Sequence, residues 1–115
     1  MMNNLLELQK QIETTTSLEQ RKLKGQFFTP PEIAHFMAGL FDLPRTKTFR
    51  LLDPGAGIGA LSSAFCERVS QLRTSHRLEI HLFESDGGLL PSLRRSMEYS
   101  KQRLAAAGHS CFTLR

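Results

Sequence analysis

The chain has no tryptophan, one tyrosine and two cysteines among its 115 residues. Cys66 and Cys111 make neither a zinc quartet nor a disulfide framework, and they read as two free thiols of a protein in a reducing cytoplasm. His35, His76, His81 and His109 show no metal-ligand spacing with those cysteines, so no metal is expected. No apolar run approaches the ~18 residues that a membrane span needs. The start, MMNNLLELQKQIE, lacks a basic segment followed by an apolar one, so it does not read as a secretion signal. Repeats and low-complexity stretches are absent too. What is present is a globular balance, 40% hydrophobic and 23% charged. The net charge of +4 makes nucleic acid a permissible partner without establishing one. The length suits one small domain and is too short for a complete doubly wound nucleotide domain.

Residues 3–24 carry Leu5, Leu6, Leu8, Ile12, Leu18 and Leu23 at partly helical spacing, broken by Thr14-Thr15-Thr16-Ser17. Ser17 with Gln20 can restart the helix, and Gly25 can end it. Phe27-Phe28 is a short extended piece. Thr29-Pro30-Pro31-Glu32 then signals a helix start, with Thr29 as cap and Glu32 completing the box. The spacing predicts a helix over roughly 31–42, with Ile33, Phe36, Met37, Leu40 and Phe41 along one face. Three strands are predicted at Thr48–Leu52, Leu78–Phe83 and from Ser110. Helices are predicted between them, from Ala60 to Leu72 and from Leu89 to Ala107. Alternation of strand and helix is the pattern of a parallel α/β sheet.

The segment Asp53-Pro54-Gly55-Ala56-Gly57-Ile58-Gly59 stands between a predicted strand and a predicted helix. Glycines there let the backbone turn tightly and let a ligand approach it closely. Glu84 closes the next strand, where a carboxylate can accept hydrogen bonds from both hydroxyls of a ribose. Two cofactors fit. Gly55, Gly57 and Ala60 satisfy a dinucleotide fingerprint. Asp53, two residues before the first glycine, favours S-adenosylmethionine instead, because a carboxylate repels a pyrophosphate.

Three stretches carry a family resemblance. Lys24-Gly25-Gln26-Phe27-Phe28-Thr29-Pro30-Pro31 resembles motif X of bacterial N6-adenine DNA methyltransferases, and Asp53 to Gly59 resembles their motif I. Phe83-Glu84-Ser85-Asp86 resembles motif II. The resemblance covers roughly residues 18–90. It implies an incomplete Rossmann-like class I methyltransferase fold, with N-terminal helices and the first three parallel strands. A helical region with motif X would span 1–47, and the first half of the cofactor domain 48–115. The cofactor would be S-adenosylmethionine, held by Phe28, Thr29, Asp53, Gly55, Gly57 and Glu84, and the substrate of the parent enzyme would be DNA in a restriction-modification system. Ala56 and Ile58 depart from the commonest motif I, and Ser85 stands where the family usually places an apolar residue against adenine. The catalytic [DNS]-P-P-[YFW] motif occurs nowhere in the chain. The expectation is therefore a donor-binding portion that is inactive alone. The alternatives are a nicotinamide-dinucleotide-binding fragment and a non-catalytic self-associating module. In the resembled strand order 3-2-1-4 a fourth strand would flank Thr48–Leu52, so self-association through that exposed edge is expected. The basic residues Arg94, Arg95, Lys101 and Arg103 read as a solvated helix face.

Overall fold

The structure is a computed structural model that describes Glu7, Lys10 and residues 29–114, with side chains up to Cys111. The expectations for residues 3–6, 8–9 and 11–28, Phe28 included, lie outside the described residues. The chain runs α1 (Pro31–Gly39), β1 (Thr48–Asp53), α2 (Ala60–Ser70), β2 (Arg77–Leu82), a single 3-10 turn (Gly87–Leu89), α3 (Leu90–Ala106) and β3 (Ser110–Leu114). The three strands form one sheet in the order β1-β2-β3, both pairs parallel. The registers run from Thr48↔Arg77 to Asp53↔Leu82 and from Arg77↔Ser110 to His81↔Leu114. The α/β class and element order match the sequence reading.

Leu78, Ile80 and Leu82 alternate into the core from β2, while Glu79 and His81 are only half-buried. Leu93, Ser96, Met97, Ser100 and Leu104 form the buried stripe of α3 at helical spacing. The facing helix α2 buries Ser62, Ser63, Ala64 and Cys66. These small side chains let the two helices meet closely, and Ser100 Oγ donates to Ser63 Oγ at 3.3 Å. Pro91 occupies the first turn of α3, and Gly108, at φ +90°, stops it.

The helix α1 departs from the expected cap and from the expected end. It is not capped by Thr29: Pro30 is the N-cap residue, and no side chain bonds to the cap. Pro31 explains this, because a proline drives the preceding residue out of the helical region, and Pro30 sits at φ −58°, ψ 146°. The buried face is also not the apolar one. Ala34 and Ala38 are in the core, whereas Phe36, Leu40 and Phe41 are 68%, 67% and 52% exposed. Alanine brings α1 close to α2, near enough for the Arg68 guanidinium to donate to the carbonyls of Ala38 and Phe41. The Ala38 carbonyl is an orphan of the last helical turn and the Phe41 carbonyl lies just past the helix end, where a cation is also favoured by the helix dipole. The helix stops at Gly39, so Leu40 and Phe41 are not on it.

Cys66 and Cys111 are free and buried, as expected of core thiols. Their sequence positions do not reveal that they meet. Hydrogen bonding to Cys111, then burial, pushes the Cys66 thiol well above its ordinary value, while the same bond lowers Cys111.

Candidate functional site

The site is built where β1 and β2 end. Asp53 closes β1 and is 8% exposed. A carboxylate so enclosed needs partners. Ser62 Oγ, from the first turn of α2, donates to Asp53 Oδ2 at 2.7 Å. No partner engages Oδ1 among the described residues. The backbone of the two strand ends is tied across, Phe83 N to Asp53 O at 3.0 Å and Ala56 N to Phe83 O at 3.0 Å.

The glycine loop then turns in two steps. Gly57 adopts φ +57° and Gly59 φ +90°, conformations that side-chain-bearing residues rarely adopt. Gly59 has a second constraint, since a Cβ there would lie 2.9 Å from Met97 Cε and 3.1 Å from Leu93 Cδ1. At Gly55 a Cβ would find no neighbour within 4 Å, and φ is not positive, so this glycine is the least constrained of the three. Gly59 N donates to Ala56 O at 2.8 Å, closing the turn, and Gly59 O receives Ser63 N at 2.8 Å, opening α2.

Glu84 reaches back into this loop. Its Oε1 accepts Gly57 N at 2.8 Å, and its Oε2 accepts Asp86 N at 2.8 Å. The carboxylate thus staples two connections that are 27 residues apart. Each oxygen retains a second lone pair, so a ligand diol can still add one hydrogen bond to each. Asp86 in turn caps the following 3-10 turn by accepting Gly88 N at Oδ1, 2.9 Å.

Of the residues singled out in the sequence, Thr29, Asp53, Gly55 and Gly57 line one notch, together with Ala56, Ile58, Ala60 and Leu61. Glu84 joins it through Gly57. Phe28 is outside the described residues. The notch encloses about 50 Å³, well short of the ~300 Å³ at which small-molecule pockets begin. It has room for no more than one edge of a small molecule. A larger hollow of about 390 Å³ adjoins it, shares Asp53 and Leu61, and is also lined by Ser62. Its remaining walls are apolar, from Met37, Leu40 and Phe41 beside α1 to Leu52 on the open edge of β1 and Phe65 on α2. The sequence reading missed Ser62 and the bond it makes. A hydroxyl in the first turn after a glycine loop, on a helix face otherwise bound for the core, is the signal that could have found it.

Among the described residues no group of three histidine, cysteine, aspartate or glutamate side chains can hold a metal ion, and no described helix is long and apolar enough to cross a membrane. No family model matches the chain. No solved structure matches it. Among curated proteins it is 39% identical over 84 residues, 73% of its length, to the Type II methyltransferase M.BsuBI of Bacillus subtilis. The chain spans 17% of that protein. An α/β unit with a glycine loop after Asp53 and the carboxylate of Glu84 just past β2 thus coincides with sequence similarity, and the chain is a segment similar to part of a Type II methyltransferase.

Proposed function

We propose that the chain is the S-adenosylmethionine-binding portion of a DNA adenine-N6 methyltransferase of a restriction-modification system, with a Rossmann-like sheet. One observation carries the choice of cofactor. The loops after β1 and β2, with the strand end Asp53, hold the carboxylates Asp53, Glu84 and Asp86 and not one lysine or arginine. Such an edge attracts the sulfonium cation of S-adenosylmethionine and repels the pyrophosphate of a dinucleotide. Similarity to a Type II methyltransferase supports the same reading.

In this reading the glycine loop gives backbone approach at Gly55 and Gly57, and Thr29 and Phe28 wall the methionine side. Glu84 takes the ribose hydroxyls on the lone pairs that its backbone staples leave free. Asp53 offers Oδ1 to a ligand donor, its orientation fixed by Ser62. Methyl transfer needs more. The adenine amino group is a poor nucleophile, and an enzyme must hold the base outside the stack, in line with the methyl. None of these 115 residues forms the [DNS]-P-P-[YFW] loop that does this in the resembled family. These residues alone therefore bind donor without transferring its methyl group to DNA.

Calorimetry tests the assignment. S-adenosylhomocysteine should bind and NAD should not, and Glu84→Ala should abolish the heat. Preference for NAD, or unchanged binding in Glu84→Ala, refutes the site. Tritiated S-adenosylmethionine with mixed-sequence DNA should leave no label on the DNA above a heat-killed control.

A further inference from the structure

The opposite end of the sheet is built differently. The strands are parallel, so Thr48, Arg77 and Ser110 start them side by side at the edge away from the glycine loop. The connections that lead into that edge are zipped together. Arg77 N donates to Lys47 O at 2.7 Å, His76 Nδ1 lies 3.2 Å from Thr46 O, and Ser110 N donates to His76 O at 3.0 Å. The His76 ring stacks with Phe49, at 4.5 Å, and with His109, at 5.8 Å, and its Nε2 meets Thr74 Oγ1 at 2.9 Å. The loops are thereby fixed against each other before any ligand arrives.

Between them lies an open hollow of about 700 Å³ lined by Arg45, Thr46, Lys47, Thr74, Ser75 and His76. Arg45, Lys47 and Arg73 are exposed and make no ion pair among the described residues. Segments 43–48, 71–78 and 107–111 contain no carboxylate. The nearest acids in sequence are Asp42 and Glu79, and Glu79 is held by Arg50 at 3.0 Å and Arg77 at 3.6 Å. The two ends of one small sheet thus carry opposite charge, acids at the glycine loop and bases here.

We propose that this basic edge binds the phosphodiester backbone of duplex DNA. The cations are spread over an open surface rather than gathered around an enclosed centre. A single small anion would leave most of them in water. A polyanion engages several at once and gains from the counterions it releases. The exposed Ser75 hydroxyl and the fixed loop backbone suit phosphate oxygens, and contacts of that kind position a duplex without reading its sequence. Binding here is sequence-independent, a holding contact on the far side of the sheet from the donor site. It stands or falls separately from donor binding.

Fluorescence anisotropy with a fluorescein-labelled, mixed-sequence duplex tests this on the whole chain. Arg45→Ser, Lys47→Ser and Arg73→Ser combined should weaken binding at least about tenfold and should lower the salt slope by roughly 0.9 for each phosphate left without its cation. Circular dichroism should show the fold intact. The charge-keeping set Arg45→Lys, Lys47→Arg, Arg73→Lys should retain binding. Arg94→Ser with Arg95→Ser removes cations from the exposed face of α3 and should leave affinity within about twofold of the parent, since a cation that pairs with no phosphate releases no counterion. Equal loss in the α3 variant, or none in the triple variant, overturns the assignment. So does poly-glutamate binding with the same dependence on the triple variant, which would make the partner an acidic protein.

Discussion

Adding one methyl group at Gly59 separates the two demands that the glycine loop makes. Gly59 needs the left-handed conformation, at φ +90°. That costs a residue with a Cβ about 1–2 kcal/mol. The added carbon also meets Met97 Cε at 2.9 Å and Leu93 Cδ1 at 3.1 Å. Both side chains are in the core, Leu93 at 3% and Met97 at 4% exposure, so they cannot simply swing into water. Overpacking of this kind costs about 1–3 kcal/mol. The stiffer unfolded chain returns about 0.4–1 kcal/mol. Gly59→Ala should therefore lose about 2–4 kcal/mol, mostly from strain and overlap. Gly57→Ala shares the positive φ, +57°, but has open space around the new carbon, and should lose only about 1 kcal/mol. Gly55→Ala has neither cost and should be neutral or slightly stabilising. Urea denaturation should rank the midpoints Gly55→Ala, Gly57→Ala, Gly59→Ala in falling order. In a Met97→Ala background, which opens room beside the new methyl, the Gly59→Ala penalty should shrink towards the strain alone. A Gly59→Ala protein as stable as Gly55→Ala, or a penalty unchanged by Met97→Ala, would refute the packing argument.

Ser62→Ala leaves Asp53 Oδ2 without its donor in a nearly buried place. It should cost about 1–3 kcal/mol in urea, whereas Ser75→Ala, at an exposed loop position, should cost almost nothing. Burial, and then the charge of His76, hold the His109 imidazole below its ordinary value. The unfolded chain therefore binds the proton more readily than the folded one, and stability is full above about pH 6.5 and declines as pH falls towards the lowered value. His109→Asn keeps an acceptor near His76 N–H, 3.0 Å from Nδ1 in the parent, and should flatten the melting temperature between neutral and mildly acidic pH; parallel curves for the two proteins would count against the assignment. No strand covers the outer edge of β1 among the described residues, and Leu52 there is 63% exposed. Such an edge invites pairing, so light scattering should show self-association that Leu52→Lys suppresses. A monomer at high concentration would speak against it.

Local chemistry along the chain determined the order of strands and helices. Alternating Leu78, Ile80 and Leu82 mark a strand with one face inward. Pro31 and Pro91 mark helix starts, and Gly108 marks a stop. The glycine loop with its flanking acids was legible for the same reason, since a tight turn between strand and helix restricts residue type at each position. Tertiary structure decided the rest. Spacing placed Ile33 and Phe36 along one face of α1, yet the helix turned Ala34 and Ala38 inward, because close helix packing and the Arg68 bonds settle the face, and both come from a different element. The spacing of Asp53 and Glu84 indicated a ligand site. It could not say that Glu84 first binds Gly57 N, or that Asp53 first binds Ser62, because those bonds exist only when the strands are in register. The basic edge is of the same kind. Arg45, Lys47 and Arg73 are scattered in sequence, and parallel pairing of β1 with β2 brings the loops that bear them together, since parallel strands must all begin at the same end of the sheet.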